Sequence, residues 1–81
     1  MDNLKTMRGT MNEELFVLSN RSRNVSDVCV SRAYKYLVAG YSLLQIGKAE
    51  TPPRGKDAVR GHVLKWLREN RDRLVGQFHT Y

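Results

Sequence analysis

Residues 37–67, LVAGYSLLQIGKAETPPRGKDAVRGHVLKWL, decide the fold of this chain. Apolar residues recur there at helical spacing on both sides of residues 50–55. Within that interval Pro52 and Pro53 each push the preceding residue out of the helical region. The stretch therefore predicts two amphipathic helices joined by a turn.

The first of these helices is predicted over residues 43–49. Ser42 and Gln45 form a capping-box pattern, in which the serine oxygen accepts one free amide and the glutamine reaches back to another. A helix this short needs support from its neighbours, because an isolated segment of that length is unstable in water. Gly47 supplies the small residue that is needed where two backbones approach.

The second helix is predicted to begin near Lys56 or Asp57 and to end near Arg73, with Gly76 after it. Its apolar residues cover one side of a helical wheel: Val59, Val63, Leu64, Trp66 and Leu67. Seven basic residues stand against three acidic ones from Arg54 to Arg73. The other side of this helix is therefore predicted to be basic.

A supporting helix is predicted over residues 27–39. Ser26 is a suitable N-cap, and Asp27 in the first turn meets the positive end of the helix dipole. Gly40 stands where a helix often ends in a left-handed residue. Cys29 and Trp66 are expected in the core as ordinary packing residues.

Both ends of the chain carry weaker signals. The apolar run at residues 15–18 is too short for its period to separate helix from strand, and a short helix is favoured. Residues 1–11 are predicted to be a flexible N-terminus. Near the other end, Phe78 and Tyr81 either fold back on the core or form a dimer seam or partner anchor. Residues 12–81 are then a single domain, and the expected class is all-α with three to four helices.

The composition of the chain limits the classes of protein to which it can belong. A chain of 81 residues with 41% hydrophobic and 27% charged residues is expected to be one small soluble domain, and dimerisation would add to its stability. No apolar run is long enough to cross a bilayer, and the first residues lack the apolar region of a secretory signal. Its one cysteine cannot form an internal disulfide. We therefore expect a cytoplasmic, nucleoid-associated protein of a bacterium or phage-infected cell.

The sequence contains no recognisable catalytic or metal-binding motif. The sequence holds no paired-carboxylate, phosphate-loop or nucleophile motif, and it is too short to enclose a sizeable substrate pocket. His62, His79 and Cys29 do not supply the four ligands of a structural zinc site. We therefore expect no enzyme, no metal and no cofactor.

A short helix, a turn and a longer basic helix form the skeleton of a helix-turn-helix DNA-binding domain. The formal net charge of +6 adds electrostatic attraction to a polyanion. Such a domain needs hydrogen-bond donors at the start and on the outward face of its second helix. The candidates there are Arg54, Lys56, Arg60, His62, Lys65 and Arg68, to which Arg32 and Lys48 are added as phosphate contacts.

The segments AGYSLLQIGKA and DAVRGHVLKWLREN resemble the helix-turn-helix of small bacterial regulators. The matching residues in the first are Ala39, Gly40, Ser42, Ile46 and Gly47. Those in the second, similar to response-regulator and sigma-type DNA-binding domains, are Val59, Arg60, His62 and Val63. Residues 33–42, AYKYLVAGYS, also resemble PapB-type pilus-operon regulators and KorA/TrfB-type plasmid repressors. The resemblance covers residues 28–70, about half of the chain.

The resemblance implies that the second helix enters the major groove. It assigns base contacts to Lys56, Arg60 and Gly61, with Lys65 nearby. The turn of this chain departs from those families. They place Leu-Gly-aliphatic-Ser/Thr between the helices, whereas this chain has a longer turn formed by residues 49–56. A longer turn moves the second helix or offers a surface to a protein partner.

The function expected from these features is a sequence-specific, repressor-like transcriptional regulator of phage, plasmid or operon type. Its partner would be double-stranded DNA, with a homodimer left open. The main alternative is a corepressor that binds a larger repressor protein on its operator and makes only auxiliary DNA contacts. A third interpretation, an RNA-binding or ribosome-associated domain, lacks a recognisable RNA-binding signature.

Overall fold

A computed structural model describes residues 4–20 and 24–70 of the chain. These residues form helices and no strand, so the expected all-α class is confirmed for them. In chain order the helices are α1 (Leu4–Met7), α2 (Glu13–Ser19), α3 (Asp27–Leu37), α4 (Leu43–Lys48) and α5 (Lys56–Glu69).

The helix ends follow the local signals of the sequence. The Ser26 hydroxyl accepts the Cys29 amide at 3.2 Å and caps α3, which ends before its predicted limit at residue 39. Gly40 adopts the expected left-handed conformation, with φ of +83°. The predicted capping box of Ser42 and Gln45 is present at the start of α4.

The helix predicted from Lys56 begins there and ends at Glu69, with Asn70 as its C-cap, so it is shorter than the predicted limit near Arg73. Gly76, Phe78 and Tyr81 lie outside the described residues. The core lies where α3, α4 and α5 pack together. Its most deeply buried apolar side chains are Ala33, Leu37, Ile46, Val59, Val63 and Trp66.

The apolar run at residues 15–18 is helical, as the sequence favoured. The Asn12 side chain caps α2 by accepting the Glu14 amide at 2.8 Å. Phe16 stacks on Trp66 with ring centroids 4.4 Å apart, and the Trp66 indole Nε1 donates to Asn20 Oδ1 at 2.8 Å. These contacts hold α2 against the C-terminal part of α5.

The domain boundary expected after residue 11 needs correction, because residues 4–11 pack on α3. Leu4 is only 3% exposed and Met11 is also buried. The Tyr36 hydroxyl donates to the Leu4 carbonyl at 3.0 Å, and the Met11 amide donates to the Leu37 carbonyl at 3.0 Å. A helix of one turn is too short to show a period, so the sequence pattern gave no sign of this packing.

Candidate nucleic-acid interface

The outward side of α5 is set by the residues that α5 buries. Val59, Val63 and Trp66 face the core. At 100° per residue, the opposite side carries Asp57, Gly61 and Arg68, which are exposed, together with the half-buried Leu64 and Lys65. Of the three residues that the sequence assigned to base contacts, Gly61 lies on this side, while Lys56 and Arg60 lie on the flank between it and the core.

The segment between α4 and α5 returns closely to the end of α4. The Arg54 amide donates to the Gly47 carbonyl at 2.9 Å. A Cβ at Gly47 would overlap the Arg54 carbonyl oxygen and lie 3.4 Å from Val59 Cγ2. Gly47 was expected where the two helices cross, and its close backbone approach is instead to Arg54 in the connecting segment. The contact fixes the backbone just before α5.

Arg32 is not on an outward face, contrary to its prediction as a phosphate contact. The residue is 6% exposed. Its Nε donates to Glu50 Oε2 at 2.6 Å and its Nη2 pairs with Glu50 Oε1, while its Nη1 lies 2.6 Å from His62 Nδ1. The guanidinium is therefore committed to contacts within the fold, because α3 turns this side chain towards Glu50 and α5.

His62 faces α3 rather than solvent, so the outward placement expected for it is also corrected. Burial lowers the pKa of its imidazole below the ordinary value, and the positive charge of Arg32 lowers it further. Because the guanidinium can only donate, Nδ1 accepts and the ring is neutral. On the other side of Arg32, the hydrogen bond from the guanidinium lowers the pKa of Glu50.

Cys29 lies beside this cluster and is 1% exposed. Its Sγ donates to the His62 carbonyl at 2.9 Å. Burial raises the pKa of the thiol above its ordinary value, which keeps it protonated at neutral pH. The side chain serves packing, as the sequence indicated.

The remaining predicted contacts stay accessible. Lys48, Arg54, Lys56, Gly61 and Arg68 are exposed, while Arg60 and Lys65 are half-buried. Lys56 and Arg60 are four residues apart and share one side of α5. The structure therefore places Lys56 and Arg60 on one flank of α5, Lys65 and Arg68 on its outward side, and Lys48 on the last turn of α4.

Two basic residues near this surface escaped the sequence analysis. Lys5 and Arg8 line a groove of about 510 Å³. The rest of its wall is formed by Tyr36, Ser42, Leu43, Leu44 and Lys56. Two cations three residues apart were the available signal, although only Lys5 lies within α1, which ends at Met7. The sequence pattern placed both in a flexible N-terminus.

A different surface lies on α2. Val17 is 63% exposed and Leu18 is 44% exposed. Together with Asn12, Glu13 and Glu14 they line a second groove. This face is apolar and acidic in a chain of positive net charge.

The chain matches no family model, and comparison with curated proteins and with solved structures found no match either. Within residues 4–20 and 24–70, no helix is long and apolar enough to span a membrane. In the same residues no group of three His, Cys, Asp or Glu side chains could hold a metal ion. Function therefore has to be inferred from the surfaces themselves.

Proposed function

We propose that the chain is a DNA-binding, repressor-like transcriptional regulator in which α4 and α5 act as a helix-turn-helix. In this proposal the outward side of α5 enters the major groove, which is wide enough to admit a helix. The chain would act in the cytoplasm, on the nucleoid, by occupying its operator.

The observation that carries the proposal is Gly61. It lies in the interior of α5, and outside the neighbouring helix backbone no heavy atom of the described residues comes within 4 Å of the position its Cβ would take. A glycine at an exposed helix interior costs about 1 kcal/mol relative to alanine. Gly47 is explained by a close approach inside the fold, whereas Gly61 has no such cause among the described residues. A partner that comes close to the α5 backbone would explain it.

The charges around Gly61 favour DNA as that partner. Lys65 and Arg68 follow it by four and seven residues on the same side of α5. In the proposed complex Lys48, Arg54, Lys65 and Arg68 contact phosphates. Arg60 and Lys56 lie on the adjoining flank of α5 and reach base edges from there. Asp57, the acid of this face, can accept from the amino group of a cytosine. Arg32 and His62 have no part in these contacts, since they orient α5 from within the fold.

Fluorescence anisotropy with a short random-sequence duplex tests the proposal. We expect binding that weakens steeply between low and moderate salt, with a logarithmic slope of about −0.9 for each phosphate neutralised. Light scattering on the same sample reports whether a dimer binds. A chain that leaves the duplex unbound at low salt would contradict the proposal.

A second candidate function is favoured by the exposed face of α2. Val17 and Leu18 beside Glu13 and Glu14 suit a basic, apolar segment of a larger repressor protein. In that case the chain would be a corepressor and would shift operator DNA only together with the repressor. The purified chain alone therefore separates the two functions in the same titration.

A further inference from the structure

Two parts of the chain bring cations to one groove, and a third forms its wall. Lys5 and Arg8 come from the N-terminal segment and Lys56 from the start of α5, and Ser42, Leu43 and Leu44 form the wall on the side of α4. We call this site the basic groove. Among the described residues, none that lines the groove is acidic and none is an acidic partner of its three cations.

The N-terminal segment is held in place by a contact between two glycines. Gly9 and Gly40 both have positive φ, of 65° and 83°. A Cβ at Gly9 would lie 3.1 Å from the Gly40 Cα, and the Gly9 amide donates to the Tyr36 carbonyl at 2.9 Å. The approach is possible because neither residue carries a side chain. Arg8 is thereby carried to the rim of the groove.

Arg8 is held in position and keeps most of its N–H hydrogen-bond donors available. Its Nε donates to the Gly40 carbonyl at 2.7 Å, which uses one of the five N–H donors of a guanidinium. Ser42 is similar, because its hydroxyl accepts the Gln45 amide and keeps its own proton to donate. An acceptor in the groove would meet charged donors from two sides and a hydroxyl from a third.

The ligand that suits this arrangement is a chain of phosphates rather than a single ion. The capping box already uses the Ser42 and Gln45 amides at the start of α4, so the backbone there offers few donors to a free phosphate. The cations instead come from two separate segments, Lys5 and Arg8 from the N-terminal segment and Lys56 from α5. Leu43, Leu44 and Tyr36 provide apolar surface of the kind on which deoxyribose can pack.

We propose that the basic groove binds the phosphodiester backbone of the DNA whose major groove receives α5. The inference rests on the proposed function and extends the interface to the N-terminal segment. Lys56 joins the two surfaces, since it lines the groove and shares a side of α5 with Arg60, beside which it reaches a base edge. The phosphate contacts of the groove itself come from Lys5 and Arg8. Lys5 and Arg8 are then positioning contacts that add affinity without reading sequence.

The test uses the full chain and a random-sequence duplex, with Lys5→Gln and Arg8→Gln as variants. We expect each to weaken binding about three- to tenfold at low salt and to reduce the magnitude of the salt slope by about 0.9. Lys35→Gln is the matched control, because Lys35 lines a separate groove beside Glu50. It should bind within about twofold of the unchanged chain. Arg8→Lys, which keeps the charge, should bind more tightly than Arg8→Gln.

The outcomes separate the two proposals. If the unchanged chain binds DNA while Lys5→Gln and Arg8→Gln bind it equally well with the same slope, the basic groove inference is overturned and the proposed function stands. If the unchanged chain binds no DNA, the proposed function fails and the inference fails with it. If inorganic phosphate binds in the groove and both variants lose it with no loss of DNA affinity, the groove is a free-anion site and the inference is again overturned.

Discussion

Arg32 and His62 meet across the packing of α3 on α5, with Nη1 of the guanidinium 2.6 Å from Nδ1 of the imidazole. The same guanidinium holds the Glu50 carboxylate. One side chain on α3 therefore joins the segment after α4 to the middle of α5. Because this contact lies inside the fold, it constrains how α5 is presented to a partner.

Glu50→Gln should destabilise the fold by about 2 kcal/mol at neutral pH, because it leaves the Arg32 charge without its partner. The expected loss is below that of a fully buried pair, since the Glu50 side chain keeps 23% exposure. The lowered pKa of Glu50 means that its contribution is present above the ordinary glutamate pKa and is lost as the pH falls through the folded pKa. Thermal unfolding across acidic pH should show a smaller pH dependence in the variant.

Glu14→Gln is the control for that experiment, because Glu14 is an exposed acid on α2. Its unfolding temperature should stay close to that of the unchanged chain. Equal unfolding temperatures for Glu50→Gln and Glu14→Gln would rule out a structural role for the ion pair.

His62 should make the fold less stable as the pH falls below about 6.5, the ordinary histidine pKa. The pKa of His62 is lowered in the folded chain, so the unfolded chain takes up the proton first and protonation favours unfolding. Stability is therefore complete above the unfolded pKa and declines as the pH falls towards the folded one. Urea unfolding at about pH 7.5 and about pH 5.5 measures the decline, which should be smaller in His62→Gln. An identical decline in both chains would show that other groups cause it.

The two glycines inside helices should respond to alanine in opposite directions. Gly47→Ala should destabilise the fold by about 1–3 kcal/mol, because the new Cβ would overlap the Arg54 carbonyl. Gly61→Ala should stabilise it by about 0.5–1 kcal/mol, because that Cβ meets open space and alanine favours a helix. The denaturant midpoints of the two variants measure both changes in stability. A destabilised Gly61→Ala would mean that the position has a structural role.

Gly61→Ala should also weaken DNA binding about tenfold while the fold becomes more stable. The expected loss follows from the close approach proposed for the α5 backbone, which a methyl group would obstruct. Ala58→Ser provides a second small change on α5, at an exposed residue on the edge of the same face. Anisotropy titrations should show clearly weaker DNA binding for Gly61→Ala than for Ala58→Ser. If Gly61→Ala binds as tightly as the unchanged chain, α5 does not approach DNA at this residue.

Arg60→Ala and Lys65→Ala should affect DNA binding in different ways. Once a preferred duplex has been selected from random sequences, Arg60→Ala should lose about 1–3 kcal/mol of discrimination against other sequences. Lys65→Ala should weaken binding to all duplexes alike, since a phosphate contact carries no sequence information. Equal losses on preferred and random duplexes in Arg60→Ala would instead assign Arg60 to the phosphate backbone.

The features that the sequence predicted well depend on short stretches of chain. The Ser26 cap, the Ser42–Gln45 capping box and the left-handed Gly40 each act within a few residues, so the local pattern contains all that they need. The positions of Arg32 and His62 depend instead on a meeting of residues 30 positions apart. No periodicity specifies such a meeting, and both were wrongly placed on the outward surface.

The same limit explains the N-terminal segment. Its attachment depends on single contacts, such as Tyr36 with the Leu4 carbonyl and Gly9 with Gly40, rather than on a repeated apolar face. A segment held in this way looks irregular in sequence. The cations it carries, Lys5 and Arg8, were therefore missed as parts of a binding surface.

The stack of Phe16 on Trp66 gives the chain an optical reporter for the docking of α2. Trp66 is the single tryptophan of the sequence, its indole is fully buried, and its Nε1 is bonded to Asn20. Release of α2 would bring water to the indole and shift its emission to longer wavelength, while α3 and α5 stayed helical by circular dichroism. Fluorescence that changes before ellipticity during unfolding would identify α2 as the first element to leave.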